Sequence, residues 1–516
     1  MRRIAALYHN EMIKIFRKVS VWVILGLMVV GVFGIGGLMR LSVSVEEQFE
    51  TNYQGSTEQF ARENLEQMLA ERRGTLDSLR AQLATAGDEL AAMELQQQIQ
   101  AAEQDAALYE EALRRDILLD YYHESSVSFE SPALHAYIEY QFEIDRLKAA
   151  PAGDVESAKA LKKAEEYFAL TKKALDERDY GSYLELQNRL IMDDDSMGEE
   201  EKAMQVSLNQ LRLKLDPEGK CPNDIESSLN QIEARRRSLI DNINYVDRTA
   251  INAPLSAEAR VRLENDIAVQ MYRLENDMTF DFATAEGTMA ASGVSVLFSF
   301  GIALIAILMM ILAGGSISQE MSSGTIKSLI ISPTRRWKIY LAKLLSLLSV
   351  GVLATLLLYI TSIAATAVWL GTGGFLPYVT ASGGSVTEIS FFLYQLADAF
   401  VQFIDVFVYM LFAFMLSVIT RNTAASVGIS IGVYFGGSLA MAFVNQFFKG
   451  EWINFLPFSN LSLSTRFFPY SGLTSMINGT GMVSTGPSLA FSLCYLAVLC
   501  VCMLYIAKDS FCRRDI

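Results

Sequence analysis

The chain has 516 residues, of which 51% are hydrophobic and only 20% are charged. The charge is unevenly divided, because residues 40–290 hold 27 basic and 50 acidic side chains, whereas the rest of the chain holds 16 and 8. This division excludes a soluble protein of uniform composition.

Six apolar segments are long enough to cross a bilayer, which takes about 20 helical residues. The first has a 21-residue apolar run and no small-residue cleavage site, so we expect a retained span rather than a signal peptide. The sequence therefore predicts an all-α, polytopic membrane protein with six transmembrane helices. The predicted helices are 19–39, 293–312, 340–370, 391–419, 424–444 and 487–507.

Basic side chains are concentrated in alternate connections between these spans. Residues 1–18 carry five of them and four more follow the second span, whereas the connection 371–390 has none. The positive-inside rule therefore predicts that both termini are cytoplasmic and that residues 40–290 are extracytoplasmic. Residues 291–516 are expected to hold spans two to six.

The 40–290 insertion has helical patterns with a seven-residue period. A first seam of leucines is followed by two more apolar seams, at residues 225–246 and 263–278. These patterns predict a large helical coiled-coil domain, an antiparallel hairpin with a helical cap, although Gly74 favours a break in its long first helix. The first seam consists of Leu69, Leu76, Leu83 and Leu90.

The sequence lacks the motifs of a catalytic, metal or nucleotide site. The three histidines are scattered, and the pair Gly219-Lys220 lacks both the following Ser or Thr and the earlier glycine of a P-loop. The chain is therefore predicted not to be an enzyme and to bind no cofactor or metal itself. No nucleic-acid partner is expected. If ATP and Mg²⁺ power its function, a separate chain must bind them.

The connection between the second and third spans carries the most specific pattern. A polar start, a Gly-Thr bend that can cap a helix, a short apolar face and a closing proline predict a small amphipathic helix parallel to the membrane. Such a helix is a natural docking surface for a soluble partner. The residues of this pattern are Glu320, Gly324, Thr325, Lys327, Leu329, Pro333, Arg335 and Arg336.

This pattern, completed by Lys343 at the start of the third span, resembles the permease subunit of ABC type-2 exporters, in a bacterial subset with a large extracytoplasmic domain between spans one and two. The six-span plan and the tight turn at 420–426 support the resemblance. The resemblance covers the membrane half of the chain, about 265 residues. It implies a coupling loop at 314–339, whose segment 318–336 docks a separate ABC ATPase subunit that holds ATP and Mg²⁺. It also implies a cytoplasmic amphipathic helix at the membrane interface, a role that the mixed apolar and basic residues of 1–18 fit. Two ATPase copies, a second permease copy in a homo- or heterodimer, and contact with membrane lipids are implied as well.

The expected function is ATP-driven export across the bacterial plasma membrane, with an amphipathic peptide or a lipid-like, antimicrobial substrate. One alternative is a sodium-exporting ABC permease. Another is a membrane sensor or scaffold whose coiled-coil domain binds an outside ligand. For the segment 318–336 alone, the simpler interpretation is an ordinary basic inside loop.

A stripe of polar residues follows one face of the fourth span, since the spacings of 3 and 4 place them on one side of a helix. Carboxylates within hydrocarbon cost roughly 3 kcal/mol each, so they usually face a cavity or a partner helix. We expect the stripe to line the translocation path or the dimer seam, unless the embedded helix begins near residue 405 and leaves its first members in outside water. The stripe consists of Gln395, Asp398, Gln402, Asp405 and Tyr409.

Overall fold

Helices make up most of the chain, because a segment that crosses a membrane must satisfy its backbone hydrogen bonds internally. The computed structural model describes residues 2–85, 89–119, 128–149, 155–246, 251–282, 284–322, 335–448, 450–471 and 487–513. The chain divides into two compact units, one formed by Met1–Val43 with Ala285–Ile516 and the other by Ser44–Thr284.

The helices are numbered here in chain order. The amino-terminal helices are α1 (Arg2–Phe16), α2 (Val19–Thr85), α3 (Glu89–Arg115), α4 (Glu130–Ala149), α5 (Val155–Asp176), α6 (Tyr180–Asp193), α7 (Glu199–Leu215), α8 (Asn223–Asp241) and α9 (Ala257–Glu275). The later helices are α10 (Ala285–Gly315), α11 (Ser318–Ser322), α12 (Arg336–Trp369), α13 (Phe391–Thr420), α14 (Thr423–Phe447), α15 (Ser464–Phe467) and α16 (Leu489–Arg513).

Within the described chain, six helices are long and apolar enough to cross a membrane. They are α2 over Val19–Glu46, then α10, α12, α13, α14 and α16. Each of the six predicted spans falls on one of these helices, so the prediction of a mostly helical chain with six candidate spans is confirmed.

Helix α10 is central to the first unit and packs against α12 and α13. Its side chains of Phe298, Met309 and Met310 are fully buried. The approach to α12 is close, because a methyl group at Gly301 would lie 2.1 Å from Leu358 Cδ1. The position therefore requires glycine for the two helices to keep this spacing.

A β-hairpin precedes α13, which adds a small two-stranded sheet to the all-α prediction. Strand β1 (Tyr378–Ser382) pairs antiparallel with β2 (Ser385–Ile389), so that Ser382 lies opposite Ser385. Gly383 and Gly384 form the two-residue turn, with φ of 58° and 81°. Positive φ at both central residues is what a tight hairpin turn requires, and glycine adopts it without steric cost.

In the second unit, α2 and α3 lie side by side with opposite chain directions. Arg73 pairs with Glu110 at 3.1 Å and Arg80 with Glu103 at 2.7 Å, so the partner number falls as the α2 number rises. The predicted seam is buried at Leu69 and Leu76, whereas Leu90 is 67% exposed. The helix also continues through Gly74, contrary to the expected break. The antiparallel pairing is therefore present, and the wider coiled coil stays a prediction.

The seams at 225–246 and 263–278 meet in a cluster of three helices. Leu229 and Ile232 of α8 and Leu274 of α9 are buried together with Met204 and Leu208 of α7. Such a cluster buries apolar surface from three directions, which a two-stranded seam does not do.

A buried ion pair lies between α8 and α9. Arg235 Nε is 3.8 Å from Asp266 Oδ2, and both side chains are only 1% exposed. Arg235 Nη1 also donates to the carbonyl oxygen of Gln231 at 2.6 Å. Arg237, two residues later on the same helix, is instead an exposed partner of Glu201 and Asp241.

We predict that Arg235→Gln lowers the free energy of unfolding of the second unit by about 3 kcal/mol, because the Asp266 carboxylate stays buried without its cation. The matched substitution Arg237→Gln should cost less than about 1 kcal/mol, since its ion pairs are exposed. Pulse proteolysis of the purified chain across a urea series measures both values. Equal losses in the two variants would contradict this account of Arg235.

Candidate functional site

Helix α1 packs against the membrane-spanning helices of the first unit. Its Ile15 is buried in their core, and Leu7 and Phe16 pack against the same cluster. Tyr8 Oη donates to Ser349 Oγ of α12 at 2.9 Å. A helix therefore occupies most of the 1–18 segment, and its apolar residues contact the protein's own spans. Its position at the membrane interface stays a prediction.

The corner between α10 and α11 is fixed by hydroxyl groups from two other helices. The amides of Ile317 and Ser318 donate to Ser417 Oγ of α13 at 3.3 and 3.0 Å. Ser318 Oγ lies 2.9 Å from Thr423 Oγ1 of α14, and Ser426 Oγ donates to the carbonyl oxygen of Gly314 at 2.8 Å. The start of the 318–336 loop is therefore held on the α13–α14 turn.

That turn is itself well defined. Arg421 adopts a left-handed conformation with φ of 53°, which reverses the chain after α13. Asn422 then caps α14 by accepting hydrogen bonds from the amides of Ala424 at 2.9 Å and Ala425 at 3.2 Å. A side-chain oxygen that binds the first free amides of a helix is the usual N-cap arrangement.

A buried lysine joins three segments beside this corner. Lys343 of α12 donates to Glu11 Oε2 of α1 at 2.9 Å and to Glu320 Oε1 of α11 at 2.8 Å. The Lys343 side chain is 3% exposed, and those of Glu11 and Glu320 are 13% and 16% exposed. We call Glu11, Lys14, Glu320 and Lys343 the lysine–glutamate cluster.

Lys14 completes this cluster from the solvent side. Its Nζ lies 3.0 Å from Glu11 Oε1 and 3.1 Å from Glu320 Oε1, with half of the side chain exposed. Burial opposes ionisation of Glu11, but the charges and hydrogen bonds of Lys343 and Lys14 outweigh it and hold the pKa of this carboxyl below its usual value. Burial likewise opposes the charge on Lys14, yet Glu11 and Glu320 raise its pKa.

The predicted loop residues are placed only in part. Glu320 belongs to the cluster, Arg335 is the exposed residue before α12, and Arg336 Nη1 donates to the carbonyl oxygen of Cys512 at 3.5 Å. The predicted amphipathic helix lies outside the described residues. So do the remaining predicted residues, which are Gly324, Thr325, Lys327, Leu329 and Pro333.

Lys343 closed the sequence pattern of the loop but was not among the predicted coupling residues, and Glu11 was not predicted at all. Lys343 gave a usable signal, since a lysine inside an otherwise apolar helix needs a counter-ion. Glu11 gave a weaker one, because it is the single acidic residue before the first span. Their pairing across 332 positions is a product of tertiary packing.

The polar stripe of α13 is largely occupied by partners from the same chain. Asp398 is 5% exposed and accepts hydrogen bonds from Gln402 Nε2 at 2.7 Å and from Ser464 Oγ of α15. Asp405 Oδ2 accepts one from the amide of Ser462 at 3.0 Å. Both carboxylates therefore bind the segment that follows α14.

The other stripe residues lie on the same face. Gln395 is buried, at 4% exposure, and the ring of Tyr409 meets that of Tyr434 of α14 edge-on with centroids 4.9 Å apart. Burial of Gln395 and Asp398 does not fit the alternative in which they stand in open water. The role of the stripe in a path or a dimer seam stays a prediction.

Arg466 makes further hydrogen bonds within the segment that follows α14 and to α16. Its guanidinium donates to the carbonyl oxygen of Ser459 at 2.5 Å and to Ser492 Oγ of α16. Ser492 Oγ in turn donates to Asn460 Oδ1 at 3.0 Å. The segment between the predicted fifth and sixth spans is thus tied to both α13 and α16.

Comparison with known proteins adds a family match and two relatives. Residues 266–516, which include α10 to α16, match the family described as "Protein of unknown function (DUF2705)". The chain is 29% identical over 253 residues to the uncharacterized protein YhcI of Bacillus subtilis (strain 168). This match covers 48% of this chain and 75% of that protein. It is 27% identical over 214 residues to the uncharacterized membrane protein YdbK of the same organism, with coverages of 41% and 78%. These similarities and the six apolar helices describe a multi-pass membrane protein with bacterial relatives.

We predict that α1 stays docked as the pH falls to about 4.5 and is released below it. The pKa of Glu11 is lower in the folded chain than in the unfolded one, so its contribution is present above the unfolded value and is lost as the pH falls through the folded value. The mobility of a spin label at Asn10→Cys, in a chain without its five native cysteines, reports the release.

Glu11→Gln should give the mobile spectrum already at pH 7, because Lys343 then keeps only part of its counter-charge. Glu388→Gln, on the exposed side of β2, should leave the label immobile. An immobile label in Glu11→Gln at neutral pH would contradict the proposed docking role.

Proposed function

We propose that this chain is the transmembrane permease subunit of an ATP-driven exporter of the ABC type-2 class, energised by a separate ATPase subunit that docks on residues 318–336. The observation that carries the proposal is Lys343, which joins the first residues of that loop to α1 and α12. The resemblance of the loop pattern to coupling segments of such permeases supports the same conclusion.

The contacts around the loop start suit the transmission of a mechanical push. Glu320 is bound to α1 and α12 through charge, and Ser318 is bound to α13 and α14 through hydroxyl groups. A displacement of α11 would therefore act on four helices at once rather than on one loop. Packed helices with discrete arrangements are the elements through which such switching transitions proceed.

The membrane orientation follows from the distribution of basic residues. Both termini and the 318–336 loop are assigned to the cytoplasm, where an ATPase would bind, and residues 40–290 to the outside. ATP and Mg²⁺ belong to the partner ATPase in this assignment. Two permease copies, identical or different, would work with two ATPase copies.

The cargo class is assigned to amphipathic peptides or lipid-like molecules, including antimicrobial ones, with sodium as the alternative within transport. The α13 stripe is the candidate route or seam. Asp398 and Asp405 hold the segment around Ser462 and Ser464 against α13, so movement of that segment would expose two carboxylates. Exposed carboxylates would suit a positively charged substrate better than an anionic one.

A second function is a sensor or scaffold whose outer domain binds a ligand. The observation that favours it is α2, a single helix whose range begins in the first unit and continues past Val43 into the second. In this case the same lysine–glutamate cluster would receive a signal from the outer domain. A sensor, too, would need a cytoplasmic partner, because the chain has no catalytic motif of its own.

We predict that the tagged chain, purified from its native host in mild detergent, co-elutes with an ATPase in a stoichiometric amount. The variant Glu320→Gln/Arg335→Gln should retain about tenfold less ATPase. The Glu320 change weakens the anchor of the loop, and the Arg335 change removes an exposed charge from the docking surface. Quantitative mass spectrometry and an ATP-hydrolysis assay measure both.

Lys508→Gln is the matched control. It removes an exposed basic residue near the carboxyl terminus, away from the 318–336 loop in the sequence, and should retain the ATPase. A wild-type chain that elutes alone and hydrolyses no ATP, from an extract in which other membrane complexes stay intact, would contradict the permease function and favour the sensor.

A further inference from the structure

A cavity of about 590 Å³ opens beside the lysine–glutamate cluster, between α1, the end of α10, α11 and the start of α12. Its volume is in the range of pockets that hold small ligands. Among the described residues, four basic side chains and two carboxylates line it, which leaves two positive charges in excess. These side chains are Lys14, Arg17, Lys18, Lys343, Glu11 and Glu320.

The excess charge lies at Arg17 and Lys18. The two carboxylates are already shared between Lys343 and Lys14, whereas Lys18 Nζ donates to a neutral amide oxygen, Gln319 Oε1, at 3.2 Å. Burial and the neighbouring charge of Lys343 lower the pKa of Lys18, although Glu11 and Glu320 act in the opposite direction. The pocket therefore favours an additional anion.

The level of the cavity in the membrane points to the source of that anion. Lys18 directly precedes the first span, and Trp22 and Trp337, at the beginnings of α2 and α12, are 59% and 40% exposed. Tryptophans at the ends of spans mark the headgroup region of a bilayer, where their rings contact both lipid and water. A basic pocket between helices at this level suits a lipid headgroup.

We propose that this cavity binds the phosphate group of an anionic phospholipid, with Lys18 and Arg17 as its direct contacts. Lys14 keeps its carboxylate partners, Glu11 and Glu320. A zwitterionic headgroup binds less well, because its own ammonium group meets a pocket that is already positive. The bound phosphate neutralises the two cations beside α11, where Lys18 also donates to Gln319, and so stabilises the arrangement on which the loop depends. This assignment needs no ATPase partner.

The test uses the full chain reconstituted in nanodiscs of equimolar phosphatidylglycerol and phosphatidylcholine. After re-extraction in mild detergent, the lipids retained by the protein are quantified by mass spectrometry. The wild-type chain should be enriched in phosphatidylglycerol. Arg17→Gln/Lys18→Gln should bind this lipid about 30-fold more weakly, because each basic residue near an anionic membrane contributes about 1 kcal/mol and the variant removes two.

Two matched variants keep the test decisive. Lys338→Gln/Lys508→Gln removes two basic residues outside the cavity and should retain the wild-type enrichment. Arg17→Lys/Lys18→Arg keeps both charges and should also retain it, which separates loss of the anion site from a folding defect. Equal enrichment in the wild type and in Arg17→Gln/Lys18→Gln would overturn the site.

A second arm identifies the source of the phosphate. The wild-type chain in nanodiscs of phosphatidylcholine alone is heated with and without inorganic phosphate, and its Tm is compared with that in phosphatidylglycerol nanodiscs. Lipid binding predicts a higher Tm only with phosphatidylglycerol. An equal increase with inorganic phosphate would assign the pocket to a soluble anion and overturn the lipid assignment.

Discussion

The Lys343 ammonium is almost wholly removed from solvent, and the arrangement of the surrounding helices follows from the need to neutralise it. An ammonium group inside an apolar helix is stable only when counter-charges and hydrogen bonds replace its hydration. Two carboxylates do so, from segments 332 and 23 positions away in the chain. An amphipathic helix, the start of a loop and a spanning helix are thereby held at one point.

The same requirement applies to the polar stripe of α13. Asp398 and Asp405 are carboxylates in an apolar helix, and their partners come from the segment around Ser462 and Ser464. In both places a polar group that is costly in hydrocarbon fixes a segment that does not itself span. The polar contacts therefore define the rest position of both segments and the cost of leaving it.

The membrane spans could be predicted from the sequence because long apolar runs have few alternatives to a helix in lipid. The β-hairpin was missed although Gly383-Gly384 is a turn signal, since no alternating apolar pattern flanks it. Within the site, Glu320 was recognised from its local pattern. The pairing of Glu11 with Lys343 could not be, because a contact across 332 positions depends on how the helices pack.

A double-mutant cycle between Glu320 and Lys343 tests most directly whether their buried ion pair joins the loop to the spans. The free energy of unfolding of the purified full chain is measured for Glu320→Gln, Lys343→Met and the combination. We expect the two substitutions to be strongly non-additive, with a coupling energy of about 2 kcal/mol, because each removes the buried partner of the other. Additivity within about 0.5 kcal/mol would contradict the claim that this ion pair joins the loop to the spans.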